Sequence, residues 1–428
     1  MSQLNLLIKN GRIVDPVNNL DMVADIYIGQ GIIQEVGPNL TAPKEIDILE
    51  AEGFIITPGL LDMHTHLREP GFEDSEDIES GTRAAVHGGF TAVACMPNTK
   101  PVIDNAAVVR SILARAGEKG SCRVYPIGSI TKGLQGEELA EMGDMVKAGV
   151  VAVSDDGMPV ANSYIMRNAL QYAKSLNIPV ISHCEEPTLS SGGVMNEGYM
   201  STVLGLKGIP AAAEDIMVAR DLILAETTGA RVHIAHISTK GSVEIVRAAK
   251  DRGIKVTCEA TPHHFSLTDN SVRDYDTNTK VNPPLRTDED LEAVIAGLKD
   301  GTIDVIASDH APHTIESKDV EYDYAPFGIS GLETSLPLMV SNLIIPGELS
   351  WMQTIRKTTY EPAKILNIKL DGIRKGSPAD ITVINPNSDR KVDTKNFISK
   401  GKNSPFDGEN LKGWATATIC NGTITSLS

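Results

Sequence analysis

His64 and His66 stand two apart at the end of the apolar run GLLDMHTH. On a β-strand that spacing puts both imidazoles on one face, where they can hold one cation together. An isolated pair of this kind is equally two ordinary polar residues at a strand end, so its company decides. His183 closes PVISHC and His236 closes VHIAHIS. They add two neutral imidazole donors suited to zinc or another borderline divalent metal. Each alone reads as a hydrogen-bonded core histidine, but four histidines on three strand edges argue for a metal. Asp309 ends VIASDH. A carboxylate there can hold a metal-bound water and take its proton, as a metal hydrolase requires, or it can merely cap a helix. VVAVSDDG supplies Asp155 and Asp156. One of the two can bridge two cations while the other serves a turn or supports a ligand. His233 has the opposite parity to His236 on a regular strand and is expected to face outward, toward the helices. His87, in a helix-like stretch, reads as structural.

These residues need elements that bring them to one place. Short β-branched runs alternate with stretches of helical character such as GTRAAVHGG and AAVVRSILARAGEKG, which implies a parallel sheet with crossover helices. The runs are GLLDMHTH, FTAVACMPN, CRVYPIGS, VVAVSDD, IPVISHC, ARVHIAHIS, IKVTCEA and DVIASDH, the number that a closed (β/α)8 TIM-like barrel requires. Almost every run ends in His, Asp, Asn or Glu, and in a barrel those edges converge on one mouth. A doubly wound open sheet would instead spread them along a line. Both chain ends read differently. LLIKNGRIVD carries an Asn10-Gly11 hairpin signal, ADIYIGQGIIQEVG repeats it around Gly29 and Gly31, and ATATICNGTITSL repeats it at Asn421-Gly422. The expectation is a small antiparallel β-sandwich subdomain built from residues 1–57 and 371–428, around a barrel spanning 58–370.

At 428 residues the chain is long enough for a large domain with a satellite. Its 41% hydrophobic residues, 37 glycines and 23 prolines fit a loop-rich globular protein. A formal charge of −17, with no basic cluster, argues against nucleic-acid or membrane-surface binding. Five cysteines with no CxxC pair point to reduced thiols in a cytoplasmic protein. No leader-like segment opens the chain and no run is long and apolar enough to span a bilayer, so export and membrane embedding are not expected. GxxxxGK[ST], HExxH, GxSxG and the Rossmann glycine pattern are all missing.

With PGLLDMHTHLREPG following a β unit, then HCEE, HIAHIS and ASDHAPH in order, the chain resembles the amidohydrolase superfamily. MPNTKPVID, KVNPPLR, PFGISGLE and SKGKNSPF extend the likeness over essentially the whole length and make it most similar to the class I dihydroorotases. That resemblance implies reversible hydrolysis of dihydroorotate to N-carbamoyl-L-aspartate in pyrimidine biosynthesis, with a zinc-bound hydroxide as nucleophile and one or two zinc ions per subunit. It assigns His64 and His66 to one metal, His183 and His236 to a second, Asp156 rather than Asp155 to the bridge, and Asp309 as metal ligand and catalytic acid and base. Most of the superfamily has a carboxylated lysine where this chain has SDDG. For substrate it implies His66 as a contact, Arg68, Asn98 and Asn282 around the carboxylate, and His313, Phe327 and Gly328 around the ring. The Arg68 fork suits a carboxylate on its own chemistry, although a surface salt bridge would also use it. His263 and His264 fit as scaffold behind the site, and the polar stretch from His313 to Phe327 fits a lid. The resemblance also admits a homodimer and an association with aspartate transcarbamoylase. The rivals are a hydantoinase- or allantoinase-like activity and a non-catalytic scaffold subunit of that transcarbamoylase.

Overall fold

A computed structural model describes residues 4–41 and 46–426. The chain begins with β1 (Leu6–Asp15), β2 (Leu20–Gly29), β3 (Ile32–Gly37), β4 (Asp47–Glu50) and β5 (Ile55–Pro58). Next come β6 (Leu60–Thr65), β7 (Phe90–Cys95), β8 (Arg123–Gly128), β9 (Ala152–Ser154) and β10 (Val180–Ser182). A two-residue pair, β11 (Met195–Asn196) with β12 (Gly208–Ile209), precedes β13 (Val232–Ile234), β14 (Val256–Ala260) and β15 (Val305–Ile306). Two long strands, β16 (Ile381–Lys391) and β17 (Asn410–Cys420), and the short β18 (Thr423–Ser426) complete the order.

Eight strands form a parallel sheet in the order β15-β14-β13-β10-β9-β8-β7-β6, and they are the eight runs expected of the barrel. The sheet closes where Thr65 bridges to His310 and the His66 N–H donates to the His310 carbonyl at 2.8 Å. Asp62 reinforces this seam, its carboxylate accepting from the backbone N–H groups of His64 and Ser308. Strands of this barrel are buried on both faces, so every residue of β6 and β7 is buried, and β7 (FTAVAC) reads as a nearly continuous apolar run. Val93, Val124, Val153, Val180, Val232 and Val256 pack outward with the helices. The positions between them, including Ala94, Ile127, Ala152, Ile181 and Ala235, join a second cluster along the barrel axis.

The chain ends form a second eight-stranded sheet, ordered β18-β17-β16-β5-β1-β2-β3 with β4 on β1. Ile8, Ile26, Ile28, Ile381, Val383 and Ile419 share one core, so the two wings of the sheet enclose it like a sandwich. The sheet is mixed rather than antiparallel, because β4 and β5 run parallel to β1. The hairpins at Gln30-Gly31 and Asn421-Gly422 are as expected, with positive φ at all four residues. Asn10-Gly11 is not a hairpin. It is a register shift inside β1, where Asn10 takes φ 61° and its N–H donates to Asp25. The β1–β2 turn lies at residues 16–19, held by the Asp15 carboxylate on the Val17 and Asn18 N–H groups. Among the described residues no helix is long and apolar enough to cross a membrane.

Candidate metal centre

The strand ends place one carboxylate among four imidazoles. Asp156 Oδ1 lies 3.4 Å from His64 Nε2, 3.7 Å from His183 Nδ1 and 3.6 Å from His236 Nε2, while its Oδ2 lies 3.5 Å from His66 Nε2. Two overlapping triads result, His64–His66–Asp156 and Asp156–His183–His236, each with donor atoms no more than 4.8 Å apart. Asp309 Oδ1 sits 3.3 Å from His64 Nε2 and 3.2 Å from His66 Nε2, across from Asp156. Asp155 points elsewhere. It accepts from Ile130 N, Thr131 N and the Thr131 hydroxyl, pinning the loop after β8.

The donor set fits a divalent metal. His64 Nε2 and Asp156 Oδ1 are buried without hydrogen-bond partners, although each is aimed at the other. Buried polar atoms left this way mark a place for an ion. Burial would drive charge out of the cluster, yet the carboxylates win. His64 is raised by Glu259, Asp309 and Asp156, and His183 is raised to about 10 by Asp156 and Glu185. Asp156 and Asp309 are both held below the usual carboxylate range, against burial, chiefly by His64. A field that favours protonated imidazoles favours a cation in their place, with the ligands then neutral.

Three carboxylates not expected as site residues support the ligands. Glu259, at the end of β14, is fully buried. It lies 2.5 Å from His64 Nδ1, 3.2 Å from His233 Nε2 and accepts from His236 N. Burial raises Glu259, but His64 and His233 outweigh it and bring it to about 2. A carboxylate behind a ligand imidazole sets the tautomer and leaves the other nitrogen for the metal. Glu185 is 3.1 Å from His183 Nε2 and also accepts from Asn282 Nδ2. Asp62, which burial pushes up to about 7, fixes the backbone of His64. Only the strand-end positions of Glu259 and Glu185 hinted at these roles, whereas Asp62 lies inside β6.

His233 corrects the outward expectation. It faces the barrel axis, hydrogen-bonded to Thr257 and Glu259. His236 also reaches the axis because its backbone, at φ 31°, breaks the strand alternation that the parity argument assumed. His87 ends the helix Ile78–His87, half-buried and outside the site.

Arg68 lies beside this centre, half-buried and, among the described residues, in no ion pair. Its Nε donates to the Pro312 carbonyl at 3.2 Å and its Nη2 is 3.3 Å from His313 Nε2. Burial lowers Arg68 to about 10 although Asp309 and Asp156 oppose it. His313 Nε2 also lies 2.8 Å from the Phe327 carbonyl, and burial beside Arg68 lowers His313 to about 3, so the ring is neutral. Asn98 spends its amide on His66 Nδ1 (2.9 Å) and Asp156, and Asn282 spends its own on Glu185 and His183. Gly328 is at φ 143°, where a Cβ would fall 2.7 Å from the Ala311 carbonyl. His264 holds the Pro283 carbonyl and Thr261 behind the site, with His263 buried beside it. The 313–327 stretch contains a short helix, Ile315–Lys318. It is tied down by Lys318 Nζ on the Thr277 and Pro326 carbonyls and Lys280 Nζ on those of Tyr322 and Asp323. A cleft of about 590 Å³ lined by Met158, Glu185, Asn282 and Phe327 opens next to the centre.

Residues 53–242 match a family model described as dihydro-orotase-like. The chain is 58% identical over 422 residues to a dihydroorotase of Pelotomaculum thermopropionicum, covering 98% of each protein. It is 56% identical to one of Geobacter metallireducens, covering 98% of this chain and 99% of that one. Among solved structures it is similar to an L-hydantoinase (dihydropyrimidinase) from Arthrobacter aurescens, with a TM-score of 0.88, 25% identity and coverage of 99% of this chain and 98% of that one.

Proposed function

The chain belongs to the dihydroorotase family of cyclic amide hydrolases, and from that premise we propose that it opens and closes the dihydroorotate ring at the His64–His66–Asp156–His183–His236–Asp309 centre. The observation that carries this reading is a half-buried guanidinium without a carboxylate partner, Arg68, beside a carboxylate shared by four imidazoles. A cyclic amide bearing a carboxylate satisfies both halves of that arrangement.

We take the metal to be zinc, one or two ions, on the chemistry of a nitrogen-rich set with bridging carboxylate. Such a cation polarises an amide carbonyl and lowers the pKa of water to about 7. His64 and His66 form one half of its cradle, His183 and His236 the other, with Asp156 between. Asp309 is the proton carrier. It accepts the proton as water adds to the ring carbonyl and returns it to the departing ring nitrogen, and the reverse sequence closes the ring. Its depressed pKa keeps it a base at neutral pH. Arg68 anchors the substrate carboxylate, His66, Asn98 and Asn282 line the same side, and His313, Phe327 and Gly328 hold the ring. Orientation by these groups separates dihydroorotate from uncharged cyclic amides. Residues 58–370 are the hydrolase barrel in this reading, with 1–57 and 371–428 forming its satellite. Five buried thiols are in keeping with a reducing, cytoplasmic setting.

A substrate panel tests the specificity. Dihydroorotate should be hydrolysed much faster than hydantoin or dihydrouracil, and Arg68→Ala should raise KM for dihydroorotate about 100-fold while leaving the uncharged rings almost unaffected. Faster turnover of the uncharged rings by the parent protein would exclude a carboxylate clamp.

A further inference from the structure

Residues 399–403, in the connection between β16 and β17, leave the terminal sheet and lie against the barrel mouth. Ser399 donates to Glu76, and the Ile398 and Ser399 N–H groups donate to Glu333. Gly401 sits so close to the loop after β15 that a Cβ there would fall 2.4 Å from Pro312. At the end of this strap Asn403 is 4% exposed, with its amide fully engaged. Oδ1 accepts from His313 N at 2.9 Å and from the Ser330 hydroxyl at 2.9 Å. Nδ2 donates to the Ala311 carbonyl at 3.1 Å and the Gly328 carbonyl at 3.0 Å. The Asn403 carbonyl accepts from Ser330 N. An N–H partner on one side and two carbonyls on the other fix the orientation of the amide, so a flipped or isosteric acid side chain cannot replace it.

We propose that Asn403 is a positioning residue for substrate recognition: one amide from the C-terminal strap sets the spacing between the His313 loop and the Phe327–Gly328 loop. Its hydrogen bonds go to Ala311, His313, Gly328 and Ser330, so it acts through the backbone of the residues that face the ring. The two loops are also linked by the Ala311 N–H on Ile329 beside the His310–Ile329 bridge, by His313 Nε2 on Phe327 and by Lys318 Nζ on Pro326, but Asn403 bonds both backbones at once, at Ala311 and His313 on one side and Gly328 on the other. The inference rests on the reading that His313 and Gly328 hold the substrate ring.

The test is steady-state kinetics on Asn403→Ala, the isosteric Asn403→Asp, His313→Ala and the double variant Asn403→Asp/His313→Ala, each with bound metal measured. Asn403→Asp keeps the shape should the truncation fail to fold, and turns two donated bonds into carboxylate–carbonyl repulsions. Both Asn403 variants should raise KM for dihydroorotate about tenfold with kcat within about threefold and metal content unchanged. The Asn403 effect should shrink below about twofold when His313 is already alanine, because both changes then act on one contact. A lowered melting temperature with KM unmoved would make Asn403 merely structural and overturn the proposal, as would additive effects in the double variant. An unchanged KM in His313→Ala would instead refute the underlying ring-binding reading, and the inference with it.

Discussion

Asp156 is the residue on which the centre turns, because its two oxygens face four imidazoles from three strands. A plain carboxylate there has a fixed −1 charge and short reach, so the residues behind the imidazoles matter for how tightly a metal is held. Glu259 is the one in deepest contact with a ligand. Glu259→Gln retains an acceptor for His64 Nδ1 but removes the charge that polarises the ring. Metal affinity should fall about 10- to 100-fold, read by competition with a chromogenic chelator. An unchanged affinity would assign Glu259 to packing alone. Asp309→Asn, assayed at saturating metal with occupancy measured, should reduce kcat by about 100-fold or more, since the amide cannot carry the proton. Near-normal turnover would remove Asp309 from that role. Much of this set was legible because the HxH spacing, HCEE, HIAHIS and ASDH place their chemistry at strand ends. Glu259 and Glu185 were not, because an acid closing a strand run looks the same whether it supports a histidine or caps the next helix.

At the scale of elements, the eight apolar runs mapped onto eight barrel strands because strands buried on both faces leave a continuous apolar signature. The parity rule failed at β13. It assumed regular alternation through ARVHIAHIS, whereas His236 adopts φ 31° and turns inward together with His233. Local dihedrals of this kind leave no trace in residue type when the residue is histidine. Asn10-Gly11 misled for the opposite reason, since a left-handed Asn before Gly serves a bulge within β1 as well as it serves a tight turn. Asn403 could not be found by spacing, because its partners lie 73 to 92 residues away in the chain. The loop geometry has a direct test at Gly328. Gly328→Ala imposes a Cβ 2.7 Å from the Ala311 carbonyl at a φ of 143°. The strain must move the loop, so kcat/KM should drop about 100-fold with little loss of bound metal. Near-normal kinetics would mean that the loop takes no part in orienting the ring.

For the molecule as a whole, the terminal sheet and the barrel are joined through buried polar contacts as well as apolar ones, and these set a pH dependence. Glu333 anchors the strap by accepting from Ile398 N and Ser399 N, yet burial outweighs those bonds and pushes it up to about 7. Its folded pKa lies above its unfolded value near 4.5, so the folded state binds the extra proton between these values and stability is lost as pH rises from about 4.5 to 7. The difference corresponds to about 3 kcal/mol. Glu333→Gln cannot titrate, so denaturant midpoints should move in its favour relative to the parent protein between pH 5 and 8, and a pH-independent difference would contradict the assignment. Metal should also stabilise the whole fold, since ligands from β6, β9, β10, β13 and β15 or the residues just after them meet at one point. The most direct measurement of the central claim is dihydroorotate hydrolysis by the purified, metal-analysed protein, beside a chelated sample and Asp309→Ala. The account predicts turnover in the loaded protein that disappears in both controls. A folded, zinc-loaded protein that leaves dihydroorotate untouched, or one whose activity survives chelation or the loss of Asp309, would contradict it.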